Sequence, residues 1–249
     1  MIFTTSWDDG YLSDLRIAEL LKKYGATGTF YVCPQGQHGQ KMLSETQIAE
    51  LGSHHEVGAH TMTHPRLTRV DASVAKKEIE GSKQWIESII KKPCTMFCYP
   101  CGDYNEATKT MVQNAGFIGA RTVQGLQFQE KDMFELPASL HLYPIPIRPK
   151  YTRWWHFIDI FGPLRFRWKR LNDIGISFYA RRSWQSLARA LFLKALENNE
   201  QFFHLWGHAH ELDGFGLWEE LESFLAFVAA HDVVHATNTE LVQSLSSSQ

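Results

Sequence analysis

Ser6-Trp7-Asp8-Asp9-Gly10 closes a short run, Met1-Ile2-Phe3-Thr4-Thr5, at the start of a 249-residue chain. The run is apolar, β-branched and aromatic, and it ends at a turn signal, so it reads as a strand. Successive side chains on an extended chain point to opposite sides, so Asp8 and Asp9 face different partners. Like charges held close push one pKa up unless a cation intervenes. The pair therefore asks for a cation or a catalytic task, although Asp-Asp-Gly alone is equally good turn chemistry.

A second stretch tips that balance. His60-Thr61-Met62-Thr63-His64 spaces two histidines i, i+4, which on a helical turn places both imidazoles on one face. Zincin helices hold their metal with the same spacing. One carboxylate with two histidines makes a facial triad that leaves positions open for water and substrate. Pro65, directly after His64, bends the backbone away from a long helix.

Outward from these stretches the first half of the chain alternates strand and helix. The spacing predicts helices over 14–24, 44–51, 71–90 and 105–114, the second opened by a Ser44/Gln47 capping box. Strands are expected over 27–33, 56–59, 95–99 and 117–121. Repeated β-α units with short turns imply a parallel sheet, open or closed into a barrel. Active sites in such folds collect at the C-terminal strand ends, and Asp8, Asp9, His60 and Tyr99 all fall there. Later the pattern weakens. One more strand is expected over 134–142, a helix over 183–198, a strand over 201–206, a helix through Trp218 and Val228, a short strand at Val233-Val234 and a last helix from Thr239. The polar tail 244–249 is expected to fray.

Composition sets bounds. At 44% hydrophobic and 13% aromatic, the chain suits one sizeable domain. A net charge of −2 gives no global attraction to nucleic acid. Four cysteines, three of them at Cys94, Cys98 and Cys101, argue for a reduced compartment rather than a disulfide scaffold. A strand beginning at residue 2 leaves no room for a signal peptide, and no apolar run nears the ~18 residues of a membrane span, so a cytoplasmic protein is expected. Residues 148–170 stand apart. They hold seven basic residues against only Asp159, interleaved with Tyr151, Trp154, Trp155, Phe157, Phe161, Phe166 and Trp168. This aromatic and basic insertion, at about 147–180, reads as a lid or as a surface for peripheral membrane contact or a lipid-phosphate-linked sugar.

With those residues in view, the chain resembles the polysaccharide deacetylase family, also called the NodB-homology domain or carbohydrate esterase family 4. The family's Thr-Phe-Asp-Asp-Gly appears as Ser6-Trp7-Asp8-Asp9-Gly10 and its His-Ser/Thr-x-x-His as His60-Thr61-Met62-Thr63-His64. Gly28 to Val32 supplies the family's strand between them. The resemblance covers roughly residues 1–121 and one motif near residue 208. It implies a single-domain α/β fold, a distorted (β/α) barrel of about seven parallel strands, over 1–249. It also implies a divalent metal, usually zinc, held by Asp9, His60 and His64. Such a ligand set also accepts iron, cobalt or nickel. Asp8 would be the general base and a late-motif histidine the general acid. His208, beside Gly207, is preferred over His210, with His204 a hydrogen-bonded core residue. Tyr99, Pro100, Trp206 and His210 are expected to contact substrate. The implied reaction removes an acyl group, acetyl above all, from the amide nitrogen of an amino sugar in a carbohydrate or lipid-linked precursor.

Two departures from the family pattern stand out. The third motif has Cys98 where the arginine that orients the base is expected; Arg121 and Arg148 are candidate replacements. The Asp and Trp of the fourth motif have no evident counterpart. The lost arginine motivates one rival reading, a catalytically inactive carbohydrate-binding module on the same fold. Cys98-Tyr99-Pro100-Cys101 motivates another, a thiol oxidoreductase, set against two small residues lining a pocket.

Overall fold

The computed structural model of the chain describes residues 1–35, 39–147, 159–165 and 167–247. Strands are β1 (Ile2–Asp9), β2 (Thr29–Val32), β3 (Glu56–Ala59), β4 (Met96–Cys98), β5 (Gly119–Arg121), β6 (Leu140–His141), β7 (Phe202–Gly207) and β8 (Val234–His235). All pairings between them are parallel, in the order β5-β4-β3-β2-β1-β7-β6, with β8 added beside the first residues of β1. Helices α1 (Asp14–Lys23), α2 (Glu45–His54), α3 (Ala72–Ile90) and α4 (Glu106–Asn114) connect the first five strands. Then come α5 (Gly162–Arg165), α6 (Trp168–Asp173), α7 (Trp184–Glu197), α8 (Ala209–Phe215), α9 (Trp218–Val228) and α10 (Asn238–Ser247).

The sheet curls into the expected distorted barrel. Residues 136–142 bring its two edges together: Leu136 exchanges backbone hydrogen bonds with Ala120 and Thr122, while Ser139 and Leu142 donate to His204 and Trp206. Covered on both faces, β1 is buried from Phe3 to Asp9, as parallel strands in such folds are. Its alternation sorts the two faces. Phe3 packs outward among Phe192 of α7, Phe224 of α9 and Phe203. Thr4, Ser6 and Asp8 point inward, and find Asn238, His204 and Arg121.

The barrel interior is closed at its N-terminal mouth by α10. Leu241, Val242 and Leu245 cluster there with Tyr31, Met96 and Phe202, while Asn238 and Thr239 bond Thr29 and Glu56, the first residues of β2 and β3. This overturns the expectation of a frayed tail as far as Ser247: Leu241 and Leu245 recur at helical spacing and are buried, which outweighs the polar composition around them. The capping box at Ser44 and Gln47 is present. Within the weakly patterned middle, 3-10 turns occupy Met133–Glu135 and Tyr179–Arg182 and the short helices α5 and α6 lie between. The 148–158 portion of the basic stretch, Arg148 included, falls outside the described residues. No helix among those described is long and apolar enough to cross a membrane.

Candidate metal and catalytic site

The C-terminal ends of β1, β3, β4 and β7 meet over the barrel at a cavity of about 490 Å³. Asp9 ends β1 with φ of 80° and Gly10 follows at 82°, conformations that turn the chain sharply off the sheet. A Cβ on Gly10 would come within 3.2 Å of the Val32 side chain. Asp9 Oδ2 accepts a hydrogen bond from the Tyr11 hydroxyl at 2.9 Å. Asp9 Oδ1 is buried and accepts none. Instead it lies 3.4 Å from His60 Nε2 and 3.5 Å from His64 Nε2.

Those separations fit a shared cation. Ligands bound to zinc at 2.0–2.1 Å in a tetrahedron stand about 3.3 Å apart. A buried carboxylate oxygen with no donor is otherwise costly. His60 Nδ1 sits 2.9 Å from the Cys98 carbonyl; an N–H there leaves the Nε2 lone pair facing Asp9, the outer-sphere arrangement of metal-bound histidines. Burial, with the neighbouring His60, brings His64 down to about 4, so it is neutral at pH 7 and able to ligate. Against burial, Cys98, Asp9 and Asp8 raise the pKa of His60, and a cation at Asp9 Oδ1 would take the place of its Nε2 proton. The residues present thus suit a divalent cation with N and O ligands.

The histidines do not meet by way of a helix, as their spacing suggested. Residues 60–64 form an irregular loop in which Thr61 and His64 both take left-handed backbone, with φ of 64° and 56°. Glu78 on α3 holds it: Oε2 accepts from the Met62 and Thr63 amides at 2.7 and 2.8 Å, and Oε1 from the Thr63 hydroxyl at 2.7 Å. Thr61 Oγ1 accepts from the His64 amide at 3.1 Å. Left-handed non-glycine residues cost energy and need such support. We expect Glu78→Ala to weaken metal affinity by about 10–100-fold, the usual effect of losing a group that orients ligands. A competition titration against a chelator would measure this, and unchanged affinity would deny Glu78 that role.

Asp8 turns the other way, into the barrel, and forms an ion pair with the fully buried Arg121. Cys98 and Arg121 are register partners across β4 and β5. The guanidinium absent from the third motif therefore enters from the next strand at the same level, and the Cys98 thiol lies 3.9 Å from Asp8 Oδ2. Burial alone would raise the Asp8 pKa; the Arg121 charge, with His60 and His208, overrides it and holds the carboxyl below its ordinary value. Arg121 also lies over the Trp206 ring, 4.6 Å from its centre.

His208, at the start of α8, faces Asp8 with Nε2 3.8 Å from Oδ2. Its Nδ1 lies 2.9 Å from Glu211 Oε2, which also lies 2.8 Å from His141 Nε2. Burial opposes charging His208, but the Glu211 hydrogen bond and charge win and raise its pKa. His204, by contrast, lies inside the barrel between Ser6 and the Pro137 carbonyl; burial and Arg121 bring it down to about 3.

The structure brings Asp8, Asp9, His60, His64, His208, His210 and Trp206 to this cavity. Tyr99 and Pro100 are not among the residues that line it. Tyr99 is buried, its hydroxyl bonded to the Phe134 carbonyl, and Cys101 lines the cavity in their place. Burial pushes the Cys98 thiol up, opposite to what a reactive thiolate needs. Sequence reasoning missed Glu78, His141 and Glu211. Of these, only Glu211 left a local trace, three residues after His208 on the same helix.

Residues 2–120 match the model of the polysaccharide deacetylase family. Among curated proteins, the chain is 28% identical over 134 residues to a putative polysaccharide deacetylase, YxkH, of Bacillus subtilis (strain 168), covering 53% of this chain and 48% of that one. It is 32% identical over 114 residues to peptidoglycan-N-acetylmuramic acid deacetylase PdaC of the same organism, covering 45% and 24%. The chain thus spans at most about half the length of these relatives. Among solved structures, a putative polysaccharide deacetylase from Mycobacterium smegmatis aligns over 99% of this chain and 90% of its own, with a TM-score of 0.68 at 16% identity. A wild-type CE4 family pseudoenzyme from Bacillus anthracis aligns over 97% and 65%, with a TM-score of 0.57 at 13% identity. At such identities the structural likeness is one of fold.

Proposed function

We propose that this chain, whose residues 2–120 match the model of the polysaccharide deacetylase family, is a member of that family and a metal-dependent hydrolase. It would release an acyl group, acetyl above all, from the amide nitrogen of an amino sugar. The observation that carries the reading is the convergence of Asp9 Oδ1, His60 Nε2 and His64 Nε2, with Asp8 and His208 facing each other beside them. Asp9, His60 and His64 would hold one divalent cation, zinc above iron, cobalt or nickel. When bound, it supplies Lewis acidity to the amide carbonyl and lowers the pKa of water.

The chain's own groups then carry the protons. Asp8 Oδ2 accepts one from the attacking water, and Arg121 on Oδ1 keeps the carboxylate anionic until then. His208 Nε2 gives a proton to the departing nitrogen, with Glu211 on Nδ1 holding the ring charged and oriented. Water adds to the carbonyl carbon, the C–N bond breaks, and a carboxylate and an amine leave. Trp206 and His210, which line the same cavity, would contact the sugar.

The inactive-module reading drew on the missing motif arginine. The Arg121–Asp8 pair puts a cation beside the proposed base, which supports the active reading. A direct test is acetate release from N-acetylglucosamine, its oligomers and its phosphorylated and lipid-linked forms, after loading with zinc or cobalt and again after chelation. Release that chelation abolishes and metal restores supports the reading. Stoichiometric metal without release from any of these would support the inactive module instead.

A further inference from the structure

Beside the catalytic cavity lies a second one of about 560 Å³. Val123 lines both. His141, in the wall of the second, hydrogen-bonds Glu211, in the wall of the first. A sugar seated at the catalytic groups can therefore reach the second cavity with a substituent. That cavity carries two guanidinium groups. Arg167 donates to the Pro163 carbonyl at 2.6 Å and Arg170 to the Leu126 carbonyl at 3.3 Å. Each contact uses one of the five donors a guanidinium has. Among the described residues no carboxylate forms an ion pair with either.

A half-buried cation without a counter-charge is expensive. The cost is visible in Arg167, whose pKa burial lowers, and its charge adds to the effects that lower the pKa of His141. Paired guanidinium forks suit an anion with several oxygens. The wall also has a far side: Gly162 and Pro163 face the arginines, while Phe161 and Leu164 of the same turn face a separate apolar groove with Trp168 and Phe178.

We propose that Arg167 and Arg170 form a phosphate subsite, and that the substrate is an N-acyl amino sugar carrying a phosphate ester. The position of the sugar rests on the deacylase reading above; the anion site itself does not. The phosphate arrives either on a soluble sugar or on a lipid carrier whose chain lies in the apolar groove.

Calorimetric titration with N-acetylglucosamine and with N-acetylglucosamine 1-phosphate tests this. The parent chain should bind the phosphate ester at least about tenfold tighter, the scale of one charge-assisted contact. Arg167→Gln should erase the preference. Arg170→Gln, at an exposed residue, should reduce it, and keeps the test decisive if Arg167→Gln fails to fold. His60→Ala should retain the preference while releasing no acetate, so a failed deacylase reading and a failed anion site give different results. Equal binding of the two sugars by the parent, or an undiminished preference in both arginine variants, overturns the proposal. Repeating the titration with a decyl ester of the same sugar phosphate separates the sources. Further tightening that Phe178→Asp removes marks a lipid-linked substrate, and its absence a soluble one.

Discussion

Asp8→Asn should bind metal as the parent does and turn over slower by about two to four orders of magnitude, the range for losing a positioned general base. Asp8 faces the barrel and Arg121, while Asp9 faces the two histidines, so the neighbouring carboxylates have separable tasks. Asparagine keeps the size of the side chain and one carbonyl oxygen for Arg121, but it accepts no proton at neutral pH. His60→Ala should behave differently, emerging without metal and without activity. Elemental analysis beside acetate release reads both variants. A full rate in Asp8→Asn would refute the base assignment, and a loss of metal there would place Asp8 among the ligands.

Arg121→Met should cost about 3–5 kcal/mol of stability at neutral pH, the usual penalty for leaving a buried charge without its partner. Its pH dependence separates charge from packing. In the parent, Arg121 holds the Asp8 pKa below its ordinary value. A depressed carboxylate contributes stability above its unfolded pKa, and loses it as pH falls through the folded one. The variant lacks that contribution, so parent and variant should differ most near pH 7. The gap should narrow as pH falls below about 4, near the aspartate reference value. Urea unfolding at several pH values would show it. A gap that stays constant with pH would assign the loss to the contacts of Arg121 with Trp206 and Tyr31. In the same variant, the acid limb of the rate profile should move to higher pH.

Much of this was legible in the sequence, because strong local signals carried it. Alternation and turn residues marked β1 to β5 and the helices between them, and two short motifs placed their ends together. What escaped was whatever depends on contacts distant in sequence. Glu78 is an ordinary polar residue within a helix until the loop it supports is seen. His141 lies at the end of a two-residue strand that no periodicity announces. The i, i+4 histidine spacing pointed to the right partners through the wrong geometry, since an irregular turn can bring two rings together as a helix does. Beside Arg148, Arg121 was one of two candidates. Sheet register, which composition does not encode, makes it the partner of Asp8.

That register bears on how chains of this kind diverge. Positions 98 and 121 are side by side on neighbouring strands, and either can direct a side chain at the carboxylate above them. In effect they are one seat with two occupants. A lineage could pass the cation across it, through a form carrying both arginines, without the base ever standing alone. Sorting such proteins into active and inactive by the residue at one motif position would then misfile those that had made the exchange, whereas counting charge at one level of the barrel would not.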